Sequence, residues 1–255
     1  MWLTPDWPAP ASVVALSTTR SGFAGFKGAS TGPYEGFNLG DHVADSPEAV
    51  AENRDQLLGA CAGLASIGWL NQVHGTDVVT LAQSPVTVPS ADASISKVAG
   101  LGCGVLTADC VPVLFCCRDG TQVAAAHAGW RGLCAGVLTN TVQAFNCSAS
   151  DVLAWIGPAI SQAHFEVGAE VYRAFKADFA GPASAEIDSA FKSVGAKSGH
   201  YHADLYALAK AQLLAVGVGW VGGAQRCTFA EADEFYSFRR DGITGRQLSL
   251  IYIKP

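Results

Sequence analysis

Apolar and polar positions follow two different patterns along this chain, and together these patterns predict both strands and helices. Short apolar runs of strand length cover residues 12–19, 151–156 and 247–253. Longer stretches place apolar residues three or four positions apart, which is the spacing of one helix face; they cover residues 46–59, 130–145, 168–179 and 204–216. The Ala/Gly/Ser-rich stretch 180–199 is interpreted as a loop. Since no repeat or linker divides the chain, we expect one α+β (mixed α/β) domain over residues 1–255.

The clearest pattern lies in residues 103–132, where three apolar runs follow one another. The second and third runs, 113–117 and 123–127, flank the sequence Arg118-Asp119-Gly120-Thr121, which is a hairpin turn signal. If Asp119-Gly120 forms a two-residue turn, Arg118 faces Thr121, and this pairing sets the register of the whole hairpin. A turn one residue longer would move every later side chain to the opposite face.

With the two-residue turn, His127 lies opposite Pro112 and Cys110 lies opposite Gly129. Side chains alternate faces along a strand, so Cys110 and His127 would then be diagonal neighbours on one face. Pro112 lacks a ladder donor, which suggests that the first strand breaks near residues 109–112 and leaves Cys110 on a loop. His127 would come just before a helix that begins at Trp130.

The segment that begins at Ser46 carries good helix-start signals. Ser46 can cap the helix, and Pro47 suits its first position. Arg54 falls on the same face as the apolar residues Val50 and Leu57. An inward guanidinium needs an anionic partner, either a carboxylate or a bound phosphate, unless the side chain extends to the surface.

Composition narrows the classes of function. The 255 residues are 49% hydrophobic and 15% charged, which predicts a large core, and the net charge of −6 argues against a nucleic-acid partner. No apolar run approaches the length of about 18 residues that a membrane span needs. The N-terminus lacks the pattern of a secretory signal, so we expect a cytoplasmic protein that does not bind membranes and whose eight cysteines stay reduced.

A cysteine and a histidine in apolar strands are more often core residues than site residues, but a third residue favours a site. His74 precedes Gly75 in a short polar segment that leads into another apolar run. Three blocks of sequence surround these residues: Gln72-Val73-His74-Gly75-Thr76-Asp77, Thr107-Ala108-Asp109-Cys110-Val111-Pro112-Val113-Leu114-Phe115 and Ala126-His127-Ala128-Gly129-Trp130-Arg131-Gly132. They resemble the signature blocks of one bacterial family, the laccase-domain (polyphenol oxidase) family, also known as the peptidoglycan editing factor family and as zinc-dependent purine nucleoside phosphorylases.

The resemblance extends over nearly the whole chain, through Asn38-Leu39-Gly40, Glu52-Asn53-Arg54, Gly157-Pro158-Ala159-Ile160, Phe165-Glu166-Val167-Gly168, Arg226-Cys227-Thr228-Phe229, Phe235-Tyr236-Ser237-Phe238-Arg239-Arg240-Asp241 and Thr244-Gly245-Arg246. It implies β-sheets sandwiched between helical layers. It also implies phosphorolysis of purine nucleosides (adenosine, inosine, methylthioadenosine) to the base and ribose 1-phosphate, with adenosine deamination as a second reaction. The partners would be the nucleoside and phosphate.

The same resemblance places zinc on His74, Cys110 and His127. Three N/S ligands with an open fourth position are typical of catalytic zinc. Asp109, next to Cys110, is expected to transfer protons or to orient a ligand histidine.

Substrate contacts are expected from Asn38, Arg54, Trp130 and Arg239. Arg226, Arg240 and Arg246 are further candidates for an anion site, and Phe235 and Tyr236 are further candidates for an aromatic face. The glycine-rich segment 20–40 is either a surface loop or a lid over the site.

Other classes of function stay open. A multicopper oxidase needs more histidines than the six present, so copper is a weaker expectation than zinc. A metal-free hydrolase that edits peptidoglycan precursors, with Cys110 as nucleophile and a histidine as base, is a second possibility. A binding module without catalysis is a third. We expect a monomer or a small homo-oligomer.

Overall fold

The computed structural model describes residues 2–179, 184–195, 199–223 and 225–255. In these ranges the strands are β1 Val13–Ser17, β2 Ser66–Gly68, β3 Val78–Leu81, β4 Ala93–Ser96, β5 Leu101–Thr107, β6 Val111–Cys117, β7 Val123–Ala128, β8 Val152–Ile156, β9 Glu166–Gly168, β10 Phe191–Ser193, β11 His200–Ala203, β12 Trp220–Gly223 and β13 Gln247–Ile253. The helices are α1 Pro47–Ala60, α2 Trp130–Ala135, α3 Val137–Gln143, α4 Ala169–Asp178, α5 Ser184–Ala190, α6 Leu205–Ala215 and α7 Phe238–Asp241. Single 3₁₀ turns lie at Gly32–Tyr34, Ala149–Asp151 and Gln162–His164.

These strands form three sheets. The largest has the order β12-β8-β6-β7-β4-β3, the second β1-β13-β5-β2, and the smallest β10-β11-β9. The pairs β12–β8, β3–β4 and β2–β5 are parallel, and the other pairs are antiparallel. The chain passes from the second sheet to the largest between β5 and β6, within residues 108–110.

Two sheets pack face to face, and helices cover their outer faces. The inner layer joins Cys103 and Val105 of β5 to Leu114 and Cys116 of β6. The other face of the largest sheet packs against α2, α3 and α6, and Leu57 of α1 packs against the outer face of the second sheet. The expected arrangement of β-sheets between helical layers is therefore confirmed.

Most predicted elements are present, and one is interrupted. The expected helix 130–145 is divided into α2 and α3 at Gly136, whose φ of 99° lies in the left-handed region that glycine adopts readily. Side-chain periodicity continues across this break, so the sequence pattern alone did not reveal it. In the stretch 180–199, predicted to be a loop, the structure has α5 and β10; residues 180–183 and 196–198 lie outside the described residues.

The expectation that all cysteines stay reduced is wrong for one pair. Cys117, at the end of β6, forms a disulfide with Cys147, which follows α3, and their Cα atoms are 6.8 Å apart. The two segments converge although 30 residues separate them in sequence, a proximity that composition could not indicate. Among the free thiols, burial raises the pKa of Cys103 to about 12 and that of Cys61 to about 11, so these two behave as small apolar side chains.

No helix within the described ranges has the length and apolar character needed to span a bilayer.

Candidate metal centre

The β6–β7 hairpin has the predicted register. Val111 pairs with Ala128, and Pro112 pairs with His127. Cys110 immediately precedes β6, in the bend that follows β5, as expected from the position of Pro112. The hairpin therefore presents Cys110 and His127 on the same face, at the end where α2 begins.

His74 completes a group of three side chains at this end of the sheet. The Nε2 atom of His74 lies 3.9 Å from the Sγ atom of Cys110, and the rings of His74 and His127 are 4.8 Å apart at an angle of 80°. One ligand atom from each of the three residues lies within 4.8 Å of the others. His74 is exposed, Cys110 half-buried and His127 buried, so one side of the group is open to solvent.

The donor set and the space around it both suit a metal ion. Two imidazoles and a thiol are ligands that zinc prefers, and the open side leaves room for a fourth ligand. A Cβ atom at Gly129 would lie 2.6 Å from His74 Cδ2 and 3.2 Å from Cys110 Sγ. The absence of a side chain at Gly129 therefore allows the ligand side chains to approach the backbone of the strand-to-helix turn.

Asp92 orients two of the three candidate ligands, and sequence reasoning missed it. Its buried carboxylate accepts a hydrogen bond from Nδ1 of His127 (2.8 Å), which leaves Nε2 of that ring to face the centre. It also accepts hydrogen bonds from the backbone N–H groups of His74 (3.0 Å), Gly75 (2.6 Å) and Val73 (3.2 Å). The only sequence signal was a lone acid among small residues just before β4.

The backbone at the centre adopts uncommon conformations. His74 has a φ of 60° and Asp109 a φ of 101°, both in the left-handed region that non-glycine residues rarely occupy. Such strain persists where surrounding contacts hold it, and it is frequent at functional sites. The bonds from Asp92 hold the His74 turn in this conformation.

The charges of the three side chains act on one another in the metal-free protein. Burial would raise the pKa of Cys110, but the charge of His127, with hydrogen bonds from both histidines, outweighs burial and lowers that pKa to about 6. Burial would lower the pKa of His127, but the charge of Cys110 and the bond to Asp92 raise it to about 9. The protein therefore stabilises a thiolate, which is the form that binds metal.

Asp109 does not orient a ligand histidine, contrary to one of the two expectations. Its Oδ1 accepts a hydrogen bond from Thr228 Oγ1 (2.7 Å), and its Oδ2 accepts one from the backbone N–H of Arg239 (2.7 Å). These bonds hold the loop that carries Cys110 against the start of α7. The orienting role belongs to Asp92.

Asn38 and Arg54 are bound within the fold. Asn38 is fully buried; its Oδ1 accepts from the backbone N–H groups of Gly40 and Arg246, and its Nδ2 donates to Asp45. Arg54 donates to the carbonyl of Leu39, and its Nη1 lies 3.2 Å from a carboxylate oxygen of Asp41. The sequence allowed either a carboxylate or a bound phosphate as the partner of Arg54, and in the structure the partner is the carboxylate of Asp41.

The aromatic residues that were candidates for binding the purine base differ in burial. Phe235 and Tyr236 are both fully buried, which makes them core residues and excludes them as an accessible face. Trp130 is half-buried, with the guanidinium of Arg131 4.3 Å from its ring. Phe238, which sequence reasoning did not single out, is 58% exposed.

Arg239 and Arg246 lie beside the Cys110 loop. Arg239 is exposed and donates from Nη1 to the carbonyl of Glu166. Gln247, the next residue after Arg246, pairs with Thr107 at the end of β5, so the sheet register places Arg246 next to residues 108–110. Its guanidinium donates only to backbone carbonyls, lies 5.9 Å from the Phe238 ring, and has no carboxylate partner among the ion pairs of the described residues.

The two packed sheets carry helices on their outer faces. A group of two histidines and one cysteine lies near the point where the chain passes from β5 to β6. These features define an α+β protein with a candidate three-ligand metal centre. The chain matches the model of the multi-copper polyphenol oxidoreductase laccase family over residues 14–254, and it belongs to that family.

Relatives of known name are similar over nearly the full length. Purine nucleoside phosphorylase YfiH of Escherichia coli K12 is 48% identical over 251 residues, 98% of each chain. Purine nucleoside phosphorylase PA4543 of Pseudomonas aeruginosa is 50% identical over 253 residues, 99% of this chain and 98% of the relative.

Two solved structures have the same fold. Protein NMB0706 of Neisseria meningitidis is 48% identical with a TM-score of 0.91, and the match covers 100% of this chain and 99% of that one. YlmD of Geobacillus stearothermophilus is 31% identical with a TM-score of 0.88, covering 100% and 96%.

Proposed function

We propose that this protein is a zinc-dependent purine nucleoside phosphorylase of the cytoplasm, acting on adenosine, inosine and methylthioadenosine, with adenosine deamination as a second reaction. The observation that carries this proposal is the convergence of His74, Cys110 and His127 with one open side. The names of relatives at 48% and 50% identity support the phosphorolytic part of it.

Zinc bound by these three residues would supply a Lewis acid and a water of lowered pKa. The protein's own groups prepare the ligands. Asp92 keeps the proton of His127 on Nδ1, and the imidazole charge keeps Cys110 as a thiolate. Because the three-residue group is open to solvent on the side of exposed His74, a small substrate can reach it without opening the fold.

Phosphorolysis also needs an anion site close to the metal, and Arg246 suits this role. Its charge faces Cys110 and Asp109, and no ion pair among the described residues includes it. Burial lowers the pKa of Arg246, which is the cost of keeping an unpaired guanidinium half-buried and which a bound phosphate would reduce. Arg54 is the alternative anion ligand, but phosphate would have to replace the exposed carboxylate of Asp41.

The exposed ring of Phe238, close to Arg246, offers a flat face on which a purine can stack. Trp130 and Arg239 are the other proposed substrate contacts. In this arrangement phosphate and base would lie on one side of the metal centre, close to the turn that holds Asp109.

The test combines metal analysis with product analysis. Purified protein is assayed with inosine and adenosine, with and without phosphate, while elemental analysis gives zinc per chain. We expect about one zinc per chain and base release that requires phosphate, both lost in Cys110→Ala. Cys61→Ala, which removes a core thiol near α1, serves as the matched control and should keep both. Base release by fully active, metal-free protein would overturn the zinc requirement.

A second candidate function is a thiol hydrolase with Cys110 as nucleophile, which the lowered pKa of that thiol favours. The two functions respond oppositely to metal. Removing zinc should abolish phosphorolysis but should free the Cys110 thiolate for hydrolysis of a peptidoglycan precursor. Hydrolysis that rises on chelation would therefore support the thiol mechanism.

A further inference from the structure

A second cysteine and histidine meet outside the metal centre. Sγ of Cys227 lies 3.4 Å from Nδ1 of His164, 3.0 Å from Oγ of Ser161 and 3.4 Å from the backbone nitrogen of Ser161. Oγ of Ser161 also lies 3.2 Å from Nδ1 of His164. All three residues are partly exposed, so the group lies near the surface of the protein.

The fold holds this group in place through contacts on both segments. Ala159 and Cys227 form an isolated parallel bridge, which fixes the two backbones side by side. The 3₁₀ turn at Gln162–His164 then directs His164 back toward the sulfur. Its ring stacks on Phe229, with centroids 4.6 Å apart and an angle of 17°. The Cys227–His164 pair is therefore ordered before any ligand arrives.

These contacts give the sulfur the role of acceptor. Both the N–H and the O–H of Ser161 donate to Sγ, so the thiol proton is left to be shared with Nδ1 of His164. A nucleophile within reach of a base, with the base itself oriented by a third group, is the signature of an activated side chain. Cys103 and Cys116 lie in the core, where burial raises the pKa of each thiol to about 12.

We propose that Cys227 is a second reactive thiol, separate from the metal centre, that hydrogen peroxide oxidises to a sulfenic acid with His164 acting as the base. His164 takes the thiol proton at Nδ1, the sulfur attacks one peroxide oxygen, and the O–O bond breaks. The departing hydroxide takes the proton from His164 and leaves as water. In sum, Cys–SH and H₂O₂ give Cys–SOH and H₂O; sulfur is oxidised and peroxide is reduced.

The location of this thiol links it to the Cys110 loop. Thr228, next in sequence, donates to Oδ1 of Asp109, and the backbone N–H of Ile160 donates to the carbonyl of Asp109. The segment after Ala159 and the segment around Cys227 thus both carry the Cys227 group and both bind Asp109, the residue before Cys110. The proposal rests on these contacts alone and is independent of the reaction proposed above.

The test is peroxide treatment of the zinc-loaded, full-length protein in the presence of a cyclic 1,3-diketone that traps sulfenic acids, followed by peptide mass spectrometry. We expect the adduct on Cys227, formed at least tenfold faster than in His164→Gln, a variant that keeps a polar side chain of similar size. Cys227→Ser should abolish the adduct while zinc content stays at the wild-type value. His202→Gln is the matched histidine control and should form the adduct at the wild-type rate.

Two results would overturn the proposal: a Cys227 that stays unmodified while other thiols react, or a rate that is unchanged in His164→Gln. Thermal unfolding of each variant is measured alongside. If His164→Gln proves unfolded, Ser161→Ala takes its place, since it removes one donor to the sulfur and should slow adduct formation severalfold; an unchanged rate in Ser161→Ala would then refute the mechanism.

Discussion

Replacing Asp92 by asparagine should weaken both the metal centre and the fold. The carboxylate accepts four hydrogen bonds, two on each oxygen: His127 Nδ1 and the N–H of His74 on Oδ1, and the N–H groups of Gly75 and Val73 on Oδ2. An asparagine offers one oxygen and one NH₂ group. Whichever way the amide is turned, two of the four donor groups then face the NH₂ group, which cannot accept a hydrogen bond from them.

The magnitude follows from those two lost bonds. A hydrogen bond to a charged group contributes about 1.5–3 kcal/mol, so loss of two should lower the free energy of unfolding of the metal-free protein by at least about 3 kcal/mol. For a chain of this length that corresponds to a fall in Tm of at least about 6 °C. If the NH₂ group takes the Oδ1 position, the proton of His127 is also driven to Nε2, the atom that faces the metal. Zinc affinity should therefore fall about 10–100-fold.

The assay is competition for zinc against a chromogenic chelator, combined with thermal unfolding of the metal-free protein. Asp77→Asn is the control, because this exposed acid lies three residues after His74. Refutation would be a zinc affinity within threefold of wild type and a Tm within 2 °C. In that case the bonds to Asp92 would not position the ligands.

Three further predictions address the same region. Gly129→Ala should displace His74, because a Cβ would lie 2.6 Å from its Cδ2, and zinc content measured by elemental analysis should fall well below one per chain while the fold persists. In metal-free protein the lowered pKa of Cys110 adds stability that is lost as pH falls from 9 through about 6, and the raised pKa of His127 adds stability that is lost as pH rises from 6.5 through about 9. Between about pH 6.5 and 9 these two contributions change in opposite directions and nearly cancel, so the free energy of unfolding measured with denaturant should stay nearly constant over that range, and a steady fall toward pH 9 would contradict this. Arg246→Ala should raise the apparent KM for phosphate about tenfold to a hundredfold and spare deamination, in line with the loss of about 1.5–3 kcal/mol of charge-assisted binding. The guanidinium of Arg54 already binds Asp41, so Arg54→Ala should instead lower Tm. If Arg54→Ala raised the KM for phosphate and Arg246→Ala lowered only Tm, the anion site would be assigned to Arg54.

The sequence predicted those parts of the site that depend on local pattern. The turn at Asp119-Gly120 set the register, and the register alone put Cys110 and His127 on one face. Pro112 correctly indicated where the strand breaks. These inferences succeeded because a hairpin is a local structure whose side-chain directions follow from the turn.

What sequence reasoning missed depends on distant contacts. Asp92 binds His127 across 35 positions and was indistinguishable from an ordinary acid before a strand. The apolar stripe of α1 suggested that Arg54 points inward, but only the fold shows that Leu39 and Asp41 receive it. Phe235 and Phe238 are three residues apart in one block, yet one is fully buried and the other 58% exposed.

Cys110 lies in the three-residue passage from β5 of one sheet to β6 of the other, and its distance along the chain from His74 affects how the protein folds. His74 is 36 positions away, so the group assembles only after long-range contacts form, and a metal bound at Cys110 would stabilise this junction between the two sheets. Metal at 1,000 times its dissociation constant adds about 4 kcal/mol to the native state alone. Zinc should thus slow the separation of the sheets, and amide hydrogens of β5 and β6 should exchange together in the metal-free protein and become protected together when the metal binds.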